Sequence, residues 1–399
     1  MTDVLLTYGW VRSSYAALRN LARHGVSVCA SDSNRIGMCQ WSRYKNSFER
    51  YPSHYDDELA FVHRIVEICE RRQIRLILPS HNETEILASH RDLLQPELCA
   101  ALPNAAHCAL FNNKASAYEL AVSADVSVAR RIKYESPSKV AECLREAGVE
   151  QCVVKLLTGN SSKGVFFPNS PADAEVLVGK LIKDYHLTAE RYPQIEERVT
   201  GEGWGCSVLY WHGEKVVSFT HRRLREKLAT GGTSTLREAA VNVEIESAAT
   251  RIFDKIGWHG LAMCEFKVDR ATGKYWFIEV NPRMWGSIPL AISAGAEFPY
   301  LVWLCATQGV NAAREYCAAR QTKIPWRGRW LVGDLITAVG MLAHGKAVPA
   351  IRTLLPTGAD TLDDFHVDDP MPFLGEIMHY GVKALNSFSI NPAEKGMVG

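Results

Sequence analysis

Strand-like and helical patterns of apolar residues alternate over the first part of the chain. Short apolar runs predict three strands, at residues 4–8, 26–30 and 74–78. Between them apolar positions recur with helical spacing, first after Ser13 or Ser14 as a cap and again from about Glu58, and Gly25 can end the first helix. Strand and helix in this order predict a doubly wound parallel sheet with right-handed crossovers over residues 1–108.

From about Leu110 the pattern changes to shorter strands and hairpins. The pairs Ser136-Pro137 and Ser170-Pro171 each predict the start of a helix, because proline is well tolerated at the first helical position. A further helix at 244–256 can end at Gly257. Strands are predicted at 151–157, 195–199, 206–211 and 215–221, the last two flanking a tight His212-Gly213 turn.

The tail, residues 311–399, carries candidate helices and an acidic loop at 360–369. Its apolar stretch at 331–343 is interrupted by Asp334, and an earlier stretch at 288–306 is interrupted by Glu297, so neither has the roughly 20 apolar residues of a membrane span. We therefore expect no membrane insertion, and for 331–343 we favour a core helix over an amphipathic surface helix. The tail has three candidate roles: covering the site, forming a contact in a homodimer, or touching a membrane-linked substrate.

The composition is typical of a folded protein of about two to three domains. The 399 residues are 47% hydrophobic, and 45 basic against 44 acidic side chains leave a net charge of +1. This balance disfavours disorder and a generally basic nucleic-acid binder. Eleven cysteines without a C-x-x-C pair predict neither a disulfide framework nor a zinc site. Because the N-terminus lacks a signal-peptide pattern as well, we expect a cytoplasmic protein.

A hairpin centred near Thr272 carries the most informative polar side chains. Glu265 and Glu279 each lie seven residues from that centre, so we expect them to face each other, with Asn281 on the same face. Two facing carboxylates repel unless a cation lies between them, and magnesium prefers oxygen ligands of this kind. The hairpin therefore predicts a site for one or two Mg²⁺ ions, which would also accept Mn²⁺.

An ordinary solvated hairpin face would show the same two glutamates. Phe266 and the apolar residues 276–278 and 280 favour a buried hairpin instead, and Pro282 ends the strand so that Arg283 emerges beside the carboxylates. Arg283 has two interpretations. It forms a plain salt bridge, or it is a fixed cation that holds a transferring phosphoryl group or an acyl phosphate.

Lys155 ends an apolar strand and precedes a loop rich in glycine and serine at 158–165. A lysine amine and the N–H groups of such a loop suit phosphate, although an ordinary surface turn has the same composition. The spacing is not G-x-x-x-x-G-K-[ST], which excludes a Walker P-loop, and the first turn of the chain at 9–14 lacks the G-x-G-x-x-G of a dinucleotide site. Lys114, ahead of another helix, is a weaker candidate by itself.

A short basic run at 221–227 is followed by a Gly-Gly-Thr-Ser loop at 231–234. Such a run is most often a solvated face, and a nucleic-acid patch is another general interpretation. Because the preceding strand is apolar and the run is short, we favour a site for an anionic substrate, where arginines bind phosphate or carboxylate and glycine allows close approach. The candidate residues, including two near Arg283, are His221, Arg222, Arg223, Arg225, Gly232, Ser234, Trp285 and Ser287.

These segments in this order resemble the ATP-grasp superfamily, and within it the carboxylate-amine ligase-like members similar to carbamoyl-phosphate synthase large chains. The resemblance covers roughly residues 110–304. It implies an α/β fold in which the parallel-sheet domain precedes two α+β lobes, a small lobe at 109–200 and a large lobe at 201–310 with the metal site, followed by a helical tail. The implied cofactors are ATP and Mg²⁺. The implied site consists of Arg283 and Lys155 as catalytic residues, Lys114, Lys155, Ser161, Ser162, Gly164, Glu196, Glu197 and Val199 for the nucleotide, and Glu265, Glu279 and Asn281 for the metal.

The resemblance also implies a reaction. The γ-phosphoryl group of ATP would pass to a carboxylate, and an amine would then attack the acyl phosphate to give an amide, ADP and phosphate, while the loop with Ser161 and Ser162 closes to exclude water. The partners would be a small-molecule carboxylate and amine of unspecified identity. The segment after Thr200 is longer than in simpler members, which leaves the ribose contact open. Two alternatives remain: a bicarbonate-using carboxylase or carbamoyl-phosphate-type enzyme, and a nucleotide-binding protein without turnover.

Overall fold

The N-terminal part of the chain is a parallel sheet between helices. The computed structural model describes residues 2–159, 164–227 and 233–387. The N-terminal elements are β1 Thr2–Leu6, α1 Arg12–Arg23, β2 Val28–Asp32, α2 Met38–Trp41, β3 Ser47–Arg50, α3 Glu58–Arg72, β4 Ile74–Leu78 and α4 Glu83–Ser89. The sheet has the order β3-β2-β1-β4, and every neighbouring pair is parallel. The predicted doubly wound sheet is confirmed, with β3 as an additional strand.

The two faces of this sheet bury separate sets of side chains. Leu5 of β1 packs with Phe61 and Ile65 of α3, whereas its neighbour Leu6 packs with Leu18 of α1 on the other face. This division follows from the alternation of side chains along a strand. Both faces are therefore covered by helices, as expected for a parallel sheet.

Helix α1 starts earlier than the sequence predicted. Its N-cap is Val11, and the expected caps Ser13 and Ser14 are buried within its first turn. The Ser14 hydroxyl donates to the carbonyl of Thr7 at 3.1 Å, so it ties the helix to the end of β1 instead of capping it. The predicted end is confirmed, since Gly25 follows the helix with a φ of +77°.

A four-stranded antiparallel sheet with its helices forms what we call the small lobe. The elements are β5 Arg131–Ile132, α7 Val140–Glu146, β6 Cys152–Lys155, β7 Val165–Phe166, α8 Pro171–Asp184 and β8 Gln194–Glu197. They are preceded by α5 Ala105–Asn112 and α6 Lys114–Ser123, whose buried side chains pack with the core of the large lobe described below. The strand order is β5-β8-β6-β7. Ser170 caps α8 as predicted, by accepting from the N–H of Asp173, whereas Ser136-Pro137 leads into a 3-10 turn, Pro137–Lys139, before α7.

A seven-stranded sheet forms the large lobe. Its elements are β9 Glu202–Trp211, β10 Glu214–Glu226, β11 Ser234–Ala239, α9 Val243–Ile256, β12 Gly260–Val268, β13 Tyr275–Asn281, α10 Ile288–Ala294, α11 Phe298–Gln308, α12 Val310–Ala318, β14 Trp326–Arg329 and β15 Thr361–Leu362. The strand order is β13-β12-β9-β10-β11-β14-β15. The tight turn between β9 and β10 is confirmed, because His212 and Gly213 both have positive φ, as a two-residue hairpin turn requires.

The tail is helical, as predicted, and also contributes to the large sheet. Its helices are α13 Leu331–Ala343, α14 Ala347–Leu354 and α15 Met371–Ser387, and strands β14 and β15 extend the sheet beyond β11. The acidic loop of the tail turns inward. Asp363 is fully buried and binds both Arg237 of β11 and Arg12 of α1. The tail is thus joined to the large lobe and to the N-terminal sheet through one carboxylate.

Helix α13 corrects the preference for a core helix at 331–343. One side of the helix is buried, including Asp334, but Leu335, Val339 and Leu342 are 43–53% exposed. The helix is therefore an amphipathic surface helix. Among the described residues, no single helix is long and apolar enough to cross a membrane, and the bent pair α10 and α11 meets that test by length and composition only.

The buried ion pair of the tail gives a first prediction. Replacing Asp363 with alanine leaves the buried Arg237 without its carboxylate partner, and we expect a loss of about 3–5 kcal/mol in the free energy of unfolding, measured by urea denaturation. The matched control is Val367→Ala, a neighbouring position that is 88% exposed. Equal stability of the two variants would contradict the assigned role of Asp363.

Candidate functional site

The predicted pair of carboxylates lies on the hairpin formed by β12 and β13. Glu265 is directly opposite Glu279 in the register, and Met263 is opposite Asn281. The Asn281 amide donates to Oε1 of Glu265 at 3.2 Å. Three oxygen-bearing side chains therefore share one face of the hairpin, in the arrangement that the alternation of the sequence predicts.

The pKa of Glu279 depends on its burial and on the charged side chains around it. Burial raises the pKa of this carboxyl group, and the nearby Glu265 raises it further, while Lys114, Lys155 and Arg223 act in the opposite direction. The charge of Glu265 thus disfavours the ionisation of Glu279, and three cations partly compensate. The metal-binding role of the pair stays a prediction, but the charge distribution suits an added cation.

Arg223 contacts one of these carboxylates directly. Its Nη2 lies 2.6 Å from Oε2 of Glu265, and its Nη1 lies 3.3 Å from Oε1 of Glu226. The role of Arg223 as a substrate ligand stays a prediction. In the structure Arg223 forms an ion pair with a predicted metal ligand, which places it at the site.

His221 lies on the same face of β10 as Arg223. Gly205 of β9 is paired with both His221 and Glu265, and because it has no side chain the imidazole ring lies against its Cα. His221 is 1% exposed and its Nε2 is 3.2 Å from the Ser287 hydroxyl. Burial, together with Arg223 and Arg237, lowers the pKa of His221 to about 3, so the ring is neutral at neutral pH.

The other predicted substrate residues lie elsewhere. Arg222 points to the opposite face of β10, where it binds Glu238 at 2.7 Å. Arg225 binds Asp334 of α13. Ser234 is buried at the start of β11, where its carbonyl accepts from Arg237, and Trp285 is buried in the core against Phe298. Gly232 lies outside the described residues.

Two lysines approach the carboxylates, Lys114 from α6 and Lys155 from the small lobe. Lys114 is the first residue of α6, whose N-cap Asn113 accepts from two backbone N–H groups. The Lys114 ammonium donates to the Gly159 carbonyl at 3.1 Å, and burial lowers the pKa of this lysine, with Glu279 opposing the shift. The cleft next to Lys114 is lined by Phe111, Asn112, Lys114, Ala117, Gly159, Ile278, Glu279, Val280 and Asn281.

Lys155 is buried at the end of β6. Its ammonium lies 2.7 Å from both carboxylate oxygens of Glu196, and Gln194 donates to the same carboxylate at 2.7 Å. The predicted nucleotide residue Glu196 is therefore the partner of the predicted phosphate lysine. Its side chain is committed to Lys155, so a contact with a nucleotide would come from its main chain, as the resemblance implied.

The remaining predicted nucleotide residues are only partly placed at the cleft. Glu197 pairs with Arg130 through its side chain at 3.2 Å, and its N–H donates to the Arg130 carbonyl at 2.8 Å. Val199 is half-buried and follows the end of β8. Gly164 has a φ of +80° and its carbonyl accepts from the N–H of Leu156, so it closes the loop after β6. Ser161 and Ser162 lie outside the described residues.

Arg283 lies where the large lobe meets the N-terminal sheet. The next residue, Met284, forms a parallel bridge with Ser80, just after β4. Burial lowers the pKa of Arg283, whereas Glu279 and then Tyr8 raise it, so the guanidinium is near both the carboxylates and the N-terminal sheet. The bridge between the two backbones is what brings these groups together.

Two residues of the N-terminal sheet belong to this region and were not predicted from the sequence. The rings of Tyr8 and His81 stack with centroids 4.6 Å apart, and both residues have positive φ. Burial, and then the charge of Arg283, lowers the pKa of His81 well below its ordinary value. Both residues follow the carboxyl ends of parallel strands, where open α/β sheets bind ligands, and that position was the available signal.

The side chains fit magnesium better than a softer metal. No group of three or more His, Cys, Asp or Glu side chains suited to a metal occurs within residues 2–159, 164–227 and 233–387. The site instead offers two glutamates and one asparagine amide. A set of two carboxylates and one amide suits a hard cation that takes its other ligands from water and phosphate.

Comparisons with known structures identify the fold. The biotin carboxylase domain dimer of the Hydrogenobacter thermophilus 2-oxoglutarate carboxylase, in complex with MgADP, ADP and bicarbonate, is similar with a TM-score of 0.59 and 14% identity, over 82% of this chain and 71% of that chain. A Campylobacter jejuni biotin carboxylase complex with β-γ-ATP has a TM-score of 0.58 and 15% identity, over 79% and 71%. N5-carboxyaminoimidazole synthetase from Staphylococcus aureus has a TM-score of 0.56 and 15% identity, over 77% and 78%.

The chain therefore shares the fold of these structures. Residues 195–326 match a family model, that of the ATP-grasp in the biosynthetic pathway with Ter operon. A comparison with curated proteins gave no match. The predicted resemblance to the ATP-grasp superfamily is confirmed.

The raised pKa of Glu279 predicts how stability depends on pH. Its ordinary value is 4.5, and because the folded value is higher, the stability from the protonated form is present at low pH and is lost as the pH rises through the folded value. Glu279→Gln should therefore have a higher thermal midpoint than the wild type at neutral pH, and the difference should shrink near pH 4.5. Added Mg²⁺ should raise the midpoint of the wild type but not of the variant.

The contact between Gly205 and His221 predicts a second effect. A Cβ at position 205 would lie 2.4 Å from Cε1 of His221, so Gly205→Ala should force the ring away and cost about 1–3 kcal/mol of stability. It should also weaken the Mg²⁺-dependent rise in thermal midpoint, because Glu265 is paired with the same glycine. Gly179→Ala on α8 is the matched control, since nothing lies within 4 Å of its Cβ position. A fully tolerated alanine at 205 would contradict this arrangement.

Proposed function

We propose that this protein is an ATP-dependent ligase, which activates a carboxylate substrate as an acyl phosphate and joins it to an amine. The observation that carries the proposal is the convergence of Lys114 of α6 and Lys155 of the small lobe with Glu265 and Glu279 of the large lobe. Two ammonium groups beside two carboxylates suit the phosphates of a nucleotide and its magnesium ion.

In this proposal, ATP lies in the cleft between the lobes. The two similar biotin carboxylase structures hold MgADP and β-γ-ATP, which supports a nucleotide at the equivalent place. Lys114 and Lys155 would bind phosphate oxygens, and the main chain near Glu196 and Val199 would hold the adenine. Glu265, Glu279 and Asn281 would hold Mg²⁺, which neutralises the charge that develops on the transferred phosphoryl group.

The proposed reaction has two steps. A carboxylate oxygen of the substrate attacks the γ-phosphorus of ATP and the bond to the β-phosphate oxygen breaks, which gives an acyl phosphate and ADP. The amine nitrogen then attacks the acyl carbon, phosphate leaves with the bridging oxygen, and the nitrogen loses a proton. Arg283 lies beside the carboxylates and would steady the acyl phosphate and the oxyanion formed in the second step.

The acceptor would enter from the side of the N-terminal sheet. Arg283 is at that edge, and the stacked rings of Tyr8 and His81 lie beside it. His81 is neutral because burial and Arg283 lower its pKa, so it can donate or accept a hydrogen bond without adding charge. Arg223 would set the orientation of Glu265 through their ion pair rather than contact the substrate.

The test measures ADP release with panels of carboxylates and amines in the presence of Mg²⁺. We expect Glu279→Gln to lower amine-dependent ADP release by at least about a hundredfold while the fold remains intact by circular dichroism, because the phosphoryl transfer loses a metal ligand. Glu315→Gln, at an exposed position on α12, is the control and should keep wild-type activity. Wild-type turnover of Glu279→Gln would refute the assignment.

The same assay separates the proposal from bicarbonate chemistry. One of the similar structures holds a bicarbonate anion, so a carboxylase-type reaction is the specific alternative. Bicarbonate-dependent ADP release without any organic acid would favour that alternative. Release that requires both an organic acid and an amine, with equal amounts of ADP and amide, would support the ligase.

A further inference from the structure

The outer face of the tail helices α13 and α14 is apolar and exposed. Single exposed apolar residues are common on any protein, but here they cluster on two short helices that contact each other through Thr353 and Met341. On α13 they follow each other at intervals of four and three residues, which places them on one side of the helix. The exposed residues are Leu335, Val339, Leu342, Val348, Ile351, Leu354 and Leu355, each 43–60% exposed.

The orientation of this apolar face is determined by the opposite side of the two helices. Asp334 of α13 is fully buried and binds Arg225 of β10 and Arg329 of β14, the latter at 2.6 Å. Arg329 also donates to the carbonyls of Thr353 and Leu355 at the end of α14. These bonds hold both helices on the large sheet by their polar side, so the apolar side faces outward.

The exposed charges of this segment are of one sign. Residues 331–355 contain a single acidic residue, the buried and ion-paired Asp334. The exposed charged side chains of this segment are Lys346, between the helices, and Arg352 on α14, with His344 close to the former. Apolar side chains bordered by cations are typical of helices that lie in the headgroup region of anionic membranes.

We propose that α13 and α14 bind this protein to the surface of an anionic lipid membrane. The apolar side chains would enter the boundary of the acyl chains, and Lys346 and Arg352 would contact lipid phosphates. With 13 residues, α13 is roughly 20 Å long, shorter than the ~30 Å hydrocarbon layer, so the helices lie on the membrane and do not cross it.

A second copy of the chain fits the same face less well. In a symmetric dimer each face would meet its own copy, which brings Lys346 and Arg352 of both chains together without an exposed acid in the segment to balance them. Lysine is also depleted from the centres of protein interfaces. An anionic lipid surface supplies the opposite charge.

The experiment is vesicle co-sedimentation of the full chain. Phosphatidylglycerol vesicles should bind the wild type, and phosphatidylcholine vesicles should bind it much more weakly. Leu335→Glu combined with Ile351→Glu should lower binding to phosphatidylglycerol by about tenfold or more, because two apolar side chains that would enter the membrane are lost. Val176→Glu on α8, at a position that is 74% exposed, is the matched control and should bind as the wild type does.

A second variant tests the charges separately. Lys346→Gln combined with Arg352→Gln should remove the preference for phosphatidylglycerol and the salt dependence of binding, with an unchanged thermal midpoint. ADP release should be unaltered in both double variants. Absence of vesicle binding by the wild type would overturn the proposal. A wild-type dimer that dissociates on Leu335→Glu would also overturn it. A large fall in the thermal midpoint of the Leu335→Glu, Ile351→Glu variant would overturn it too, because it would mean that another part of the chain covers this face.

Discussion

Two glutamates of like charge, placed opposite each other by the register of one hairpin, determine how the rest of the site is arranged. Their repulsion in a partly dehydrated cleft has to be offset by cations, and the chain supplies these from separate segments. Arg223 comes from a strand of the same sheet, Lys114 from a helix packed on the large lobe, and Lys155 from the small lobe. Through Lys155, the attraction that compensates the pair is also an attraction between the lobes. A divalent cation and a polyanion bound there would exchange partners with these groups.

The hairpin could be predicted from the sequence because everything that defines it is local. The predicted pairing of Glu265 with Glu279 is confirmed, but it depends on a register shift between Glu265 and Phe266 that the symmetric turn of the prediction did not include. The basic run at 221–227 shows what such a local pattern does not predict. Arg222 and Arg223 are adjacent in sequence, yet the strand sends them to opposite faces, and which face meets Glu265 depends on a pairing between β9 and β10 that the run itself does not encode. The same limit applies to His81, whose approach to Arg283 depends on contacts between distant segments.

The tail shows a different limit of prediction from the sequence. Its helices follow from periodic apolar residues, but β14 and β15 are too short to show an alternating pattern and are defined by pairing alone. A loop rich in aspartate is typically solvated, whereas here Asp363 is buried because arginines from two other units reach it. Such buried ion pairs add little net stability, since dehydration offsets their attraction, but an alternative arrangement that separates them is strongly disfavoured. They specify where the tail docks. That in turn decides which side of α13 remains exposed.

The bridge between Ser80 and Met284 has a further consequence. Asn281 and Arg283 are separated by a single residue, and the backbone immediately after them is hydrogen-bonded to the end of a strand in the N-terminal sheet. The N-terminal domain is therefore not an interchangeable module that only adds specificity. Grafting a different parallel-sheet domain onto these lobes would move the backbone that carries the proposed metal ligand Asn281 together with Arg283. Chimaeras between relatives would have to exchange 79–81 and 282–285 as one unit to retain the geometry of both.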